Sequence, residues 1–280
     1  MTTLLFSSGT FFFLKGKLSQ SYSGTAYALQ GGGCTAGCAF CAQSRFSSSR
    51  DMLSRVKWYP MDLDEAKGRM GAFKRFCLQT VYRPGFREEA LEVMKKVNTK
   101  GKSLTTVPVE GLEEFAEAGV DYIGVGLDTT EDMFTRISKP FPFSRYMEFI
   151  EEAVEVFGKR RVYVHLVFGL GEKSEDFLSL MERIYSMGAE VALFAFTPVK
   201  GTLMQDMSPP SIQDYRVVQT VRYYLSRGYP LSRIIKDGKL LLPSERYHFN
   251  TSGCPTCDRP FYNESPKDKE LYNIPKVMRD

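Results

Sequence analysis

Short β-rich runs alternate with helical stretches six times along this chain, and few folds can accommodate that order. Residues 25–30, 75–80, 104–109, 122–127, 162–168 and 191–196 read as strands. Residues 87–97, 111–118, 145–157, 174–187 (capped by Ser174) and 212–225 read as helices between and after them. In residues 145–157, Met147, Ile150, Val154 and Phe157 recur at helical spacing. The run VYVHLVF at 162–168 is continuously apolar, as strands buried on both faces are. Strand-then-helix repeats imply a parallel sheet with helices outside. Right-handed crossovers curl such a sheet into a barrel, and six units fall short of the eight that close one. The expected fold is therefore α/β, a partial (βα)6 barrel of TIM type.

The expected organisation is an N-terminal extension over 1–23, the barrel over 24–233 and an irregular tail over 234–280. Pro243, Pro255, Pro260, Pro266, Pro275, Gly238 and Gly253 break up the tail. Tyr247, Phe249, Phe261, Tyr262 and Tyr272 give it enough aromatic surface to pack down over the barrel.

The chain has 280 residues, 43% apolar and 25% charged, enough for a sizeable core and unlike a disordered chain or a coiled coil. No stretch approaches the roughly 18 apolar residues of a membrane helix. The apolar N-terminus is broken by Ser-Ser-Gly-Thr and lacks a preceding basic residue, so no signal peptide is expected and the chain reads as cytoplasmic. A net charge of +4 with no basic block beyond Lys159-Arg160-Arg161 does not indicate nucleic acid.

Cysteine usage is the distinctive part of the composition. Cys34, Cys38 and Cys41 form Cys-x3-Cys-x2-Cys after a glycine triplet at the end of the first strand; Cys254 and Cys257 form Cys-x2-Cys in the tail; Cys77 stands alone. A large, core-rich chain needs no disulfide scaffold, so metal or redox work is expected. Three thiolates within eight residues reach three corners of one iron–sulfur cube and leave one iron open. Zinc prefers four closed ligands with paired Cys-x-x-Cys hooks, which would leave Cys34 surplus. A zinc-binding interaction protein is the non-enzyme alternative.

This motif, with Phe40 before its last cysteine, resembles that of the radical S-adenosylmethionine (SAM) enzymes. The resemblance implies a [4Fe–4S] cluster on Cys34, Cys38 and Cys41 whose open iron chelates SAM. It also implies reductive cleavage to a 5′-deoxyadenosyl radical, with electrons from an external donor. Cys41-Ala-Gln-Ser44, Arg75-Phe76-Cys77, Leu127-Asp128-Thr129, Gly169-Leu170-Gly171-Glu172 and Lys200-Gly201-Thr202 fall in the order of the biotin synthase-like branch. Carried over, Asp128 would bond the SAM ribose, Gly169 and Gly171 would let backbone approach the nucleoside, and Phe40 would lie near the adenine. A helix cap is the plain alternative for Asp128, and a first-turn charge for Glu172.

Biotin synthases hold a second, sacrificial cluster with three cysteines and one arginine. Cys77 matches one of them, but 104–109 has no cysteine and Tyr163 stands where another would be. The tail supplies Cys254 and Cys257 instead, with Ser252 a candidate fourth ligand, which implies a sulfur-donating auxiliary cluster at the barrel mouth. The tail 251–264 and the segment 53–58 resemble the two-component lipoyl synthases. The implied reaction is sulfur insertion into a protein-bound octanoyl chain, with a second synthase subunit and an octanoylated carrier protein or lipoyl domain as partners. No catalytic side chain beyond the clusters is required; His165 reads as a core histidine and His248 belongs to no triad. A biotin synthase-like sulfurtransferase on a small molecule and a radical mutase or lyase without sulfur donation are the alternatives within the fold.

Overall fold

A computed structural model describes residues 2–275, apart from Tyr22, Pro260 and Pro266. Pro260 and Pro266, read above as breaking up the tail, and its last five residues lie outside the described residues.

The elements run β1 (Thr3–Ser7), α1 (Ser8–Leu14), β2 (Thr25–Gln30), β3 (Met52–Leu53), β4 (Val56–Asp62), α2 (Leu63–Met70), β5 (Arg75–Gln79) and α3 (Phe86–Lys96). There follow β6 (Gly101–Thr106), α4 (Leu112–Glu117), β7 (Tyr122–Asp128), α5 (Phe134–Ile137), α6 (Phe143–Phe157), β8 (Val162–Phe168) and α7 (Ser174–Ser186). The last are β9 (Glu190–Ala195), α8 (Ile212–Leu225), α9 (Leu231–Ile234) and the small hairpin β10 (Ile235–Lys236) and β11 (Lys239–Leu240).

Six strands pair in parallel in the order β2-β5-β6-β7-β8-β9, and the sheet curls into a half-barrel. Within the first 23 residues, set apart in sequence as an extension, Thr3–Ser7 continue that sheet. Strand β1 pairs antiparallel with both β2 and β4, which puts Leu4 and Phe6 into the core. The third parallel strand begins at Gly101, three residues earlier than the apolar run 104–109 suggests. Of its first residues Ser103 faces the interior of the barrel, whereas Lys102 points to the helix side and donates to Met94 O and Ala118 O.

Helix α7 begins at Ser174 itself, with Lys173 as N-cap and no capping side chain, so Ser174 is not the cap. Ser211 does cap α8, accepting the Asp214 N–H at 3.0 Å. Helix α6 buries Met147, Ile150 and Phe157 of the stripe read from spacing, together with Tyr146, Phe149 and Ala153, against the outer face of the sheet, while Val154 is only half-buried.

Strand β8 is buried on one face only. Val162, Val164, Leu166 and Phe168 point to the helices, while Tyr163, His165 and Val167 are half-buried on the inner face. Such two-residue alternation is what a curled sheet with a hollow interior imposes. Register then builds layers of inward side chains: Tyr27 lies opposite Cys77, Cys77 opposite Ser103 and Ser103 opposite Tyr122.

The tail straps the seam between the sheet's open edges. At the β9 edge, Ser252 Oγ accepts the Leu193 N–H at 2.8 Å and Asn263 Nδ2 donates to Ala195 O at 2.7 Å. At the other edge, Ser54 Oγ donates to Tyr262 O at 2.6 Å and Arg55 donates to the carbonyls of Phe261 and Glu264. Edge groups that would otherwise face solvent or another chain are thereby paired. Among the described residues no helix is long and apolar enough to cross a membrane.

Candidate functional site: two thiol groups at opposite ends of one interior

The Cys34–Cys41 loop leaves β2 at the C-terminal end of the parallel strands, the end where barrel loops build active sites. Backbone bonds fold it tightly: Cys34 N–H to Gln43 O (3.2 Å), Cys41 N–H to Cys38 O (3.1 Å), Ala39 N–H to Ile137 O (2.9 Å) and Thr35 N–H to Tyr82 O (2.7 Å). Gln43 Nε2 holds the return segment through Arg50 O at 2.8 Å and Met52 O at 2.6 Å. Gly33 adopts a φ of 74°, and a Cβ there would meet the Arg50 guanidinium at 2.8 Å. All three cysteines are half-buried and unbridged. Burial pushes the Cys38 thiol up, and burial together with Cys38 pushes Cys41 up to about 12. Thiols so placed become good ligands when a metal supplies the positive charge that stabilises the thiolate.

A cavity of about 230 Å³ lies under this loop, lined by Cys34, Cys38, Phe40, Cys41, Asp128 and Lys139 among others. Asp128 ends β7 with a φ of 73° and accepts from Lys139 Nζ at 2.5 Å, which also donates to Gly126 O at 2.5 Å. Burial alone would lower the proton affinity of this ammonium, but Asp128, Tyr146 and Cys38 together raise it. Asp128 therefore caps no helix among the described residues. Lys139 was not picked out in sequence; a lysine eleven residues after the strand end carries no local signal.

Gly169 and Gly171 do not line the cavity. Their left-handed conformations (φ 103° and 113°) admit Pro210 and Arg136, and a Cβ on Gly169 would meet Pro210 at 2.8 Å. Glu172 precedes α7 and closes this turn by accepting the Gly169 N–H at 2.6 Å.

Cys77 and the Cys254/Cys257 pair, 177 residues or more apart along the chain, surround a void of about 40 Å³ in the same interior. The Cys254–Cys257 turn of the tail enters from below, while Tyr262 and Asn263 farther along line the cavity under the Cys34–Cys41 loop. Thr25 Oγ1 donates to Thr256 O at 2.9 Å, and Arg75 Nε donates to Pro255 O at 3.1 Å, both at the N-terminal starts of their strands. Arg75 is itself held by Asp121 and donates to Ser103 Oγ at 3.0 Å. Gly253 adopts a φ of 151° and lets Cys257 close in; a Cβ would lie 3.1 Å from Cys257 Sγ.

Ser252, the candidate fourth ligand, spends its hydroxyl on Leu193 and does not line the void. Arg259 does line it. The guanidinium is buried, stacked 3.6 Å from the Phe194 ring centroid and bonded to Ser252 O, while its Nε and Nη1 have no partner. Two buried N–H donors without acceptors beside three thiols fit an anionic sulfide cluster, whose sulfurs would accept them. The sequence signal was present, since Arg259 follows Cys257 by two, but only the fold shows that it turns inward.

Five residues line both the cavity and the void: Gln79, Thr105, His165, Phe194 and Tyr262. His165 is thus on the wall between the two thiol groups and not in the core. Burial, then Arg259 and Lys139, push it down to about 3, so it stays neutral. Gly124 on the neighbouring strand leaves room for it, because a Cβ there would lie 3.2 Å from His165 Nε2 and 2.5 Å from Thr105 Oγ1. Among the described residues no three His, Cys, Asp or Glu side chains converge on a single metal ion. A cube of irons asks for no such convergence, because each thiolate binds a different iron.

The radical SAM superfamily model matches residues 30–184, more than half of the chain. A biotin synthase of Brucella anthropi is 24% identical over 213 residues, 72% of this chain and 63% of that protein. One of Bordetella avium is 26% identical over 220 residues, 71% and 65% of the two. The chain thus spans less than two-thirds of the length of these curated relatives. Among solved structures, methylornithine synthase superposes with a TM-score of 0.54 at 13% identity, covering 69% of this chain and 60% of that one. A maturase of the [FeFe]-hydrogenase gives 0.56 at 12% identity, covering 78% and 52%. Both likenesses concern the fold.

Proposed function

Because this chain belongs to the radical SAM superfamily, we propose that it inserts sulfur into a protein-bound octanoyl chain as one subunit of a two-component lipoyl synthase. A [4Fe–4S] cluster and SAM go with the family; the ligands, the second cluster, the substrate and the partners are our reading. Cys34, Cys38 and Cys41 hold the first cluster, and Cys77, Cys254 and Cys257 the second, with the free N–H groups of Arg259 turned to its sulfides. When bound, the first supplies a hydrogen-abstracting 5′-deoxyadenosyl radical with SAM, and the second supplies sulfide.

The observation that carries the reading is the shared wall. Radical-generating and sulfur-donating groups would sit above and below one interior, separated by Gln79, Thr105, His165, Phe194 and Tyr262. An acyl carbon threaded between them would face both. The tail seals the seam and the floor, which keeps water and oxidants from a carbon radical. The second synthase subunit, the octanoylated carrier protein or lipoyl domain and an external electron donor complete the reaction.

A small-molecule substrate is favoured by a different observation: the shared wall carries polar Gln79, Thr105 and His165, which suit a polar heterocycle, and the relatives named above are biotin synthases. Iron and sulfide are therefore counted in the anaerobically reconstituted chain beside Cys254→Ala/Cys257→Ala, and octanoyl-carrier and dethiobiotin substrates are then assayed. We expect about eight irons falling to about four in the double variant, with octanoyl turnover only in the wild type. About four irons in both proteins would sink the sulfur-donor reading, and dethiobiotin turnover alone would replace the substrate.

A further inference from the structure

Two hydroxyl groups reach the tail thiols from the layer of side chains that contains Cys77. Tyr27 and Ser103 lie one strand to either side of it in register. The Tyr27 oxygen accepts two backbone N–H groups of the tail, Asp258 at 2.9 Å and Arg259 at 3.1 Å. Its lone pairs are thereby engaged, and its single proton points to Cys257 Sγ at 3.8 Å. Ser103 repeats the arrangement: Arg75 donates to its oxygen at 3.0 Å, which leaves its proton for Cys254 Sγ at 3.4 Å.

We propose that Tyr27 and Ser103 are positioning residues of the auxiliary centre, each donating an O–H···S hydrogen bond to one tail thiolate and together holding the reduction potential of that centre up. The proposal rests on the reading of Cys77, Cys254 and Cys257 as cluster ligands. Hydrogen bonds to ligand sulfur withdraw electron density from it and favour the reduced cluster.

The test uses the reconstituted full chain as wild type, Tyr27→Phe, Ser103→Ala and Thr25→Val. Thr25 holds the same turn through Thr256 and touches no sulfur. Iron is counted first, and the midpoint potential of each cluster is then read by EPR-monitored titration. We expect about eight irons throughout. The auxiliary midpoint should move to lower potential in Tyr27→Phe and Ser103→Ala and stay put in Thr25→Val, with the other cluster unmoved in all. Wild-type protein with about four irons would overturn the cluster reading beneath the proposal. Eight irons with unmoved midpoints in the two hydroxyl variants would overturn the proposal alone. A shift in Thr25→Val equal to theirs would assign the effect to the turn and overturn it too. Should Tyr27→Phe lose its auxiliary iron, Ser103→Ala decides in the same two senses.

Discussion

Asp128 and Lys139 form the most deeply buried ion pair at the mouth of the interior, with side chains 15% and 4% exposed. Two opposite charges in low dielectric hold each other in place, but either alone is costly. Asp128→Asn should therefore destabilise the metal-free chain by about 3–5 kcal/mol in urea unfolding. Asp128→Asn/Lys139→Met should recover most of that loss, because no buried charge remains. An additive double variant would mean the two groups act independently. Asp128 is legible in sequence as a strand-end carboxylate, whereas its partner is legible only once β7 and α5 are folded together.

The tail is the element on which sequence and structure part most. Its Cys-x-x-Cys was expected above the barrel; it lies beneath, because Thr25 and Arg75 catch its turn at the strand starts. Ser252 Oγ accepts from the edge strand β9. Ser252→Ala should leave about eight irons in place and cost about 1–3 kcal/mol, the penalty for orphaning the buried Leu193 N–H. Lost iron without lost stability would return Ser252 to the ligand set.

Further along the tail, burial pushes the Glu264 carboxyl up from 4.5 to about 7 against the pull of a backbone N–H and of Arg259, Arg216 and Arg55. Between those two values the folded chain holds a proton the unfolded chain has lost, so stability falls as pH rises from about 4.5 to about 7 and is flat above. The drop amounts to about 3 kcal/mol at most. In Glu264→Gln this part of the slope should vanish, as denaturant midpoints across that range would read.

At the scale of the whole molecule, the sheet is a half-barrel that the tail turns into a vessel with a floor. Six thiols sit in one interior, in two groups that share no ligand. If the lower group is a consumable donor, sulfur in product cannot exceed the sulfide the chain was loaded with. Sulfur transfer should stop after one burst while 5′-deoxyadenosine continues to accumulate. Adding fresh iron and sulfide should restart it, and product well above the sulfide content would mean another source.

Much of this was determined by sequence alone. Periodicity of apolar residues reports which way each side chain faces, and it sets out the six parallel units. Spacing within one loop limits how far three thiols can separate, which makes Cys34, Cys38 and Cys41 one group before any fold is known. Tertiary structure decided the rest: that Thr3–Ser7 continue the sheet, that the Cys254–Cys257 turn floors the barrel, that Lys139 answers Asp128 and that Arg259 and Tyr27 turn toward Cys257. Each of these joins residues distant in the chain, and local pattern carries no information about which distant surfaces meet. That is settled by where the curled sheet leaves unpaired edge groups and buried space, and by which segment has the groups to fill them.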